Sequence, residues 1–331
     1  DEGRLTCEVL TDGQMGSRRH INLPGIRVNL PALTKKDLMD IEVAAELQVD
    51  YVAISFVRDA EHVCLLREKL DELDSSARIV SKIEDQEAVK HLSEIIKESD
   101  AVMVARGDLG IEVHIEELPV IQRAIVKESA RIGRKVIVAT HMLESMTENP
   151  VPTRAEVTDV ANAIFEQADA VMLSGETSVG QYPIKCIEVL DRIARRMERE
   201  PGAGFSEDIE LRTEKQHTVK SAVGLANSLE DAHLIIFTAR GVLANYAAHQ
   251  RPTRANIYAF SPDEVVVRAL NLNRAVFSYP MQFNKDPEKS IRHAIDLLRE
   301  KGQIEPGDSV VILSDVLNQD FDTEAILLRK A

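Results

Sequence analysis

From Leu33 onward, the chain alternates between short apolar runs and longer stretches with helical spacing. Leu33 to Leu47 is amphipathic, with Thr34 placed as an N-cap and Asp37 three residues later, which predicts a helix start. Further helices are predicted over Ala60–Leu73, Gln86–Glu98, Leu118–Ile132 (stopping at Gly133), Thr153–Gln167 and Pro183–Glu200. Between them lie the strand candidates Tyr51–Phe56, Ile79–Ile83, Ala101–Ala105, Val136–Thr140 and Ala170–Ser174. Each is short and almost wholly apolar. Such strands are buried on both faces, as in a parallel sheet covered by helices. The repeat of about 22 to 35 residues suits the βα units of a barrel.

Pro201-Gly202-Ala203-Gly204 breaks this rhythm, and the polar stretch to Gln216 reads as a linker. A second α/β set follows: helices over His217–Ser228, Gly241–His249 and Pro287–Lys301, and strands over Leu234–Thr238, Asn256–Phe260, Ala275–Ser278, Ser309–Ser314 and Glu324–Leu328. At the other end, Leu5–Leu10 alternates like a strand and Asp12-Gly13 is a hairpin-type turn signal. With no start methionine and no domain-like beginning, residues 1–24 are expected to be the tail of something upstream. The expected division is therefore 1–24, 25–205 and 206–331.

Composition narrows the classes of function. The chain has 331 residues, is 44% hydrophobic and 29% charged, and carries a formal charge of −15. It can bury a core, and its acidity argues against nucleic-acid or anionic-membrane partners. Aromatic residues make up only 4%, with no Trp, which removes the usual stacking platforms. The three cysteines, Cys7, Cys64 and Cys186, have no metal-ligand spacing. A reducing, cytoplasmic setting is the expectation.

Candidate chemistry sits at the carboxyl ends of the first set of strands, where parallel α/β folds place their sites. The stretch from Ile79 to Gly110 has two such ends, Lys82-Ile83-Glu84 and Arg106-Gly107-Asp108-Leu109-Gly110. Lys82 and Glu84 are two apart on one strand and share a side. Asp108 follows one βα unit later, close enough for both carboxylates to share a cation; hard oxygen donors suit Mg²⁺ or Mn²⁺ better than Zn²⁺. The alternative is a salt-bridged rim pair with Asp108 as a turn residue. The Arg106–Gly110 segment reads as a glycine-containing turn, either an ordinary one or an anion-holding nest of N–H groups. Thr140 either contacts substrate or bonds its own backbone, and Ser174-Gly175-Glu176-Thr177 is either pocket lining or a helix cap. His141 has no metal partner at useful spacing.

Taken in order, several segments together resemble the pyruvate kinase family: Ile21-Asn22-Leu23-Pro24-Gly25, Ser81-Lys82-Ile83-Glu84, Met103 to Gly110, Ala139 to Met146, Pro152-Thr153-Arg154-Ala155-Glu156, and Met172 to Thr177. The resemblance implies a (β/α)₈ TIM-barrel fold represented here by strands four to eight only. It also implies the end of a small inserted β domain at residues 1–24 and a C-terminal α/β domain with a mainly parallel five-stranded sheet. The implied reaction transfers a phosphoryl group from phosphoenolpyruvate to ADP, giving pyruvate and ATP.

By the same resemblance, Lys82 faces the phosphoryl group and Glu84 and Asp108 bind Mg²⁺ (or Mn²⁺). The Gly107–Asp108 backbone holds the substrate carboxylate, Thr140 contacts substrate, and Ser174 belongs to a proton relay. K⁺ is implied too, but its ligands and a substrate arginine would come from strands one to three, which this chain lacks. A homotetramer is implied as well. The chain departs from the pattern at Thr238 to Ala244 and at Asp315 to Asp322, where effector loops are usually rich in Ser and Thr or in Gly. Two other readings stay open: a metal-dependent aldolase or lyase acting on pyruvate or phosphoenolpyruvate, and a non-catalytic fragment or assembly subunit.

Overall fold

The structure is a computed structural model, and it describes residues 7–14, 16, 31–314 and 325–331. The expected strand and turn near the start are absent where they can be seen, because residues 7–14 form no strand and pair with nothing among the described residues. The rest of the 1–24 assignment, Ile21–Gly25 and Asp315–Asp322 lie outside the described residues.

Two five-stranded sheets carry the fold. The first contains β1 (Tyr51–Ile54), β2 (Arg78–Ile83), β3 (Ala101–Ala105), β4 (Lys135–Ala139) and β5 (Ala170–Met172), all parallel and in sequence order. The second contains β6 (Ala232–Phe237), β7 (Ile257–Ser261), β8 (Val276–Pro280), β9 (Ser309–Ser314) and β10 (Ile326–Lys330), in the order β10-β9-β6-β7-β8. Only β10 runs antiparallel to its neighbour.

Helices α1 (Lys35–Glu46), α2 (Ala60–Glu72), α3 (Gln86–Lys90), α4 (Leu92–Glu98), α5 (Arg106–Glu112), α6 (Leu118–Ile132), α7 (Arg154–Phe165), α8 (Gly175–Ser178) and α9 (Pro183–Met197) interleave with the first sheet. Thr34 caps α1 with a reciprocal bond from Asp37, and Thr153 caps α7 with Glu156. Gly133 ends α6 at φ +78, the left-handed position that favours glycine.

The strands alternate faces as their spacing dictates. Ile79, Ile83, Val102, Val104, Val136 and Val138 pack against the helices. Val80, Ala101, Met103, Ile137 and Ala139 form a separate cluster on the opposite face, joined by Leu272 from the second unit. Lys82 pairs in register with Met103 and so lies on that second face.

Two expected elements differ. The helix expected over Gln86–Glu98 breaks at His91 into α3 and α4. Ala88, Ile95 and Ile96 all remain buried across the break, so the apolar spacing carries no mark of it. The turn expected at Arg106–Gly110 is instead the start of α5. Gly107 and Gly110 both avoid positive φ, and fully buried Leu109 anchors the segment to the core. The two glycines therefore do not break the chain as their type led us to expect.

Polar contacts also cross the seam between the two units. The Tyr51 hydroxyl donates to the Ala269 carbonyl (2.8 Å), Arg268 pairs with Asp50, and Arg251 pairs with Asp169 in full burial. No helix among the described residues is long and apolar enough to cross a membrane.

Candidate active site

Five strand ends meet at one edge of the first sheet. Lys82 Nζ donates to Ser55 Oγ just past β1 (2.9 Å) and lies 2.6 Å from Glu84 Oε1. Both side chains lie on one side, as their spacing predicts, but they do not form an ordinary rim pair. Glu84 is fully buried, whereas Lys82 is a quarter exposed. Glu84 Oε2 accepts the Phe56 N–H (2.6 Å), which holds Phe56 at φ +53. Glu84 Oε1 has its charge contact with Lys82 but no hydrogen bond of acceptable direction. The Lys82 ammonium compensates the charge of this buried carboxylate.

Asp108 lies in the first turn of α5, half-buried, and its carboxylate accepts no hydrogen bond among the described residues. Nearby Glu112 is raised above the ordinary carboxyl range by partial burial and by the Asp85 and Asp108 carboxylates. The Asp85 and Asp108 carboxylates thus make the potential at Glu112 negative. Among the described residues no three His, Cys, Asp or Glu side chains cluster as a metal cage. A cation held by Glu84 and Asp108 would complete its shell with water or substrate oxygens, a donor set that fits Mg²⁺ or Mn²⁺.

The Gly107 N–H, expected to be available to a ligand, is already bonded to Thr140 Oγ1 (2.9 Å). Thr140 also donates to the Ala139 carbonyl (2.6 Å). Thr140 and His141 follow β4 at φ +67 and +53, two successive left-handed residues without glycine. Such backbone costs about 1–3 kcal/mol per residue and persists where surroundings over-determine it. The surroundings here centre on Arg106, to which the sequence reading gave no role; its place beside the quoted Gly107-Asp108 pair was the available signal.

Ser174 is exposed and starts α8 without a side-chain cap. The buried member of that segment is Glu176, also missed, whose two oxygens accept the Leu143 N–H (3.0 Å) and the Ser174 N–H (2.7 Å). Glu176 therefore ties the loop after β4 to the loop after β5. In the second unit, the buried Thr238 hydroxyl accepts the Gly241 N–H (3.1 Å).

The family model of the pyruvate kinase barrel domain matches residues 1–187, and that of the pyruvate kinase alpha/beta domain matches residues 216–326. The chain belongs to the pyruvate kinase family. Pyruvate kinase isozyme G, chloroplastic, from Ricinus communis is 39% identical over 93% of the chain and 74% of its own length. The isozyme of the same name from Nicotiana tabacum is 39% identical over 93% of the chain and 55% of its own length. For the pyruvate kinase of Geobacillus stearothermophilus, identity is 39% over 95% of the chain and 54% of its own length. The chain thus spans little more than half of the tobacco and bacterial relatives. The five-stranded parallel sheet and the mixed second sheet are the family's two α/β units as this chain contains them.

Proposed function

We propose that this chain carries part of the active site of a phosphotransferase moving the phosphoryl group of phosphoenolpyruvate to ADP, with pyruvate and ATP as products. The single observation that supports this most is the partly exposed Lys82 ammonium paired with the fully buried Glu84 carboxylate at the end of β2, with Asp108, which accepts no hydrogen bond among the described residues, just past the end of the adjacent β3. A divalent cation, Mg²⁺ or Mn²⁺, would supply charge neutralisation for substrate oxygens at these carboxylates.

The residues divide the work by their chemistry. Lys82 places a positive charge over the phosphoryl group, where charge spreads over three oxygens during in-line transfer. Its contacts with Ser55 and Glu84 aim the ammonium. The Gly107 and Asp108 N–H groups, at the opening turn of α5, face the substrate carboxylate. Thr140 stands beside Gly107 as the hydroxyl nearest the reacting acid, and Ser174, exposed at the neighbouring strand end, is the relay candidate for the proton that ketonises enolpyruvate. K⁺ and a homotetrameric state belong to this reading by resemblance alone. So does the cytoplasm; the two plant relatives are named chloroplastic.

The test is pyruvate formation by the full-length protein from phosphoenolpyruvate, ADP, Mg²⁺ and K⁺, with its length fixed by intact mass. ADP-dependent pyruvate formation supports the proposal. Conversion of either acid without ADP would favour the aldolase or lyase reading, which needs no Lys82 ammonium and no second α/β unit.

A further inference from the structure

Arg106 is a charged group beside the site that the proposed reaction leaves unused. Its side chain is only 7% exposed, and its donors converge on neighbouring elements. Nε shares its hydrogen between the carbonyls of Ala139 (3.1 Å) and Thr140 (3.2 Å), and Nη2 donates to the Thr140 carbonyl as well. Nη1 donates to Asp159 on α7 (2.7 Å) and lies 3.5 Å from Gln122 Oε1 on α6. One planar, always-charged fork thus joins two helices to the end of β4.

That fork accounts for the conformation of Thr140. A β-branched residue at φ +67 is unfavourable by itself. Charge-assisted bonds to the carbonyls of the two peptides that flank the Thr140 Cα hold it there. The hydroxyl then has one position, accepting the Gly107 N–H and donating to Ala139. The amide is satisfied, but by a neutral oxygen. A carboxylate oxygen is the stronger acceptor for the same N–H.

We infer that Arg106 is a positioning residue that sets the Thr140 hydroxyl as a reversible cap on the Gly107 amide, and that a small carboxylate ligand binds by displacing this cap. The identity of the ligand rests on the proposed function; the cap rests on the geometry alone. Displacement exchanges one hydrogen bond for a stronger one and releases the Thr140 hydroxyl to turn toward the bound acid.

The test is NMR on the isotope-labelled full-length protein, following Gly107 amide exchange and the Thr140 methyl resonance. Wild-type protein and Thr140→Ser keep the Gly107 amide protected. Thr140→Val and Arg106→Lys speed its exchange about tenfold, the loss of one hydrogen bond, while Val102 and Val136 amides in the sheet stay unchanged. Asp159→Asn, which leaves the guanidinium and loosens only its anchor, gives a smaller rise and decides the matter if Arg106→Lys unfolds. Added pyruvate shifts the Gly107 amide downfield and moves the Thr140 methyl resonance with it.

Wild-type Gly107 exchange in Thr140→Val overturns the cap. Wild-type exchange in both Arg106→Lys and Asp159→Asn overturns the role of Arg106, and a Thr140 methyl that stays fixed as Gly107 shifts, or no shift at all, overturns displacement. None of these readings requires turnover. A capped Gly107 in a protein without phosphotransfer would therefore retain the positioning role and discard the proposed reaction, and the converse result would do the opposite.

Discussion

Arg251 grips Asp169 with both prongs of its guanidinium, Nη1–Oδ1 at 2.5 Å and Nη2–Oδ2 at 2.6 Å, with both side chains sealed from solvent. Arg251 comes from the second α/β unit and Asp169 from the start of β5 in the first. Asp169 also accepts the Val136 N–H (3.0 Å) and the Arg274 N–H (3.3 Å). Burial pushes the Asp169 carboxyl upward, and the Arg251 guanidinium overrides it, leaving the group below the usual carboxylate range. Removing one partner strands the other charge in a dry seam. Asp169→Ala is expected to cost about 3–5 kcal/mol in denaturant unfolding. A loss below about 1 kcal/mol would show that water reaches the seam.

The same seam makes stability depend on acid. Burial drives His249 down to about 3 from an ordinary 6.5, against the opposing pull of Asp169. Between those values, the unfolded imidazole binds a proton that the folded one refuses. The unfolded state therefore holds more protons, and stability falls as pH drops from 6.5 toward 3, by up to ~1.4 kcal/mol per pH unit. His249→Gln should flatten this part of the profile in chemical unfolding at stepped pH. An unchanged slope would assign the acid sensitivity to other groups.

Gly133 lies at φ +78, and a methyl group there would sit 3.4 Å from His249 Nδ1. Gly133→Ala incurs left-handed strain, and about 1–2 kcal/mol of stability should be lost. Gly224, inside a helix of the second unit with open space around it, is the control: Gly224→Ala should gain about 0.5–1 kcal/mol. Thermal melts of both variants check the contrast in sign.

How far the sequence could be read differs by element. The parallel order of β1 to β5 follows from five apolar runs separated by helices, and the Thr34 and Thr153 caps follow from their partners three residues on. The break at His91 leaves no mark on the apolar spacing. At Arg106–Glu112 the glycines misled, since residue type shows flexibility but not that buried Leu109 would hold the segment helical. Lys82 and Glu84 were legible as neighbours on one side; that Glu84 would be wholly buried, with one oxygen lacking a hydrogen bond, was not. Arg106 and Glu176 each bond a group 33 positions away (Ala139 and Leu143), contacts that only the assembled strand ends create.

Glu84 and Asp108 are expected to hold the divalent cation jointly. Mn²⁺ titrated into the protein, followed by its electron paramagnetic resonance signal, should bind at least tenfold more weakly to Glu84→Gln and to Asp108→Asn, since each change removes one of two carboxylate charges. Equal affinity in all three proteins would place the cation elsewhere.

The most direct measurement is the rate of pyruvate formation from phosphoenolpyruvate and ADP by the full-length protein with Mg²⁺ and K⁺, wild type beside Lys82→Ala. The wild type is expected to turn over. Lys82→Ala should lose about a thousandfold or more in rate, the scale of removing a charge from a phosphoryl transition state, while still binding Mn²⁺. A wild-type protein of confirmed length that forms no pyruvate, or a Lys82→Ala variant as fast as the wild type, would contradict the assignment.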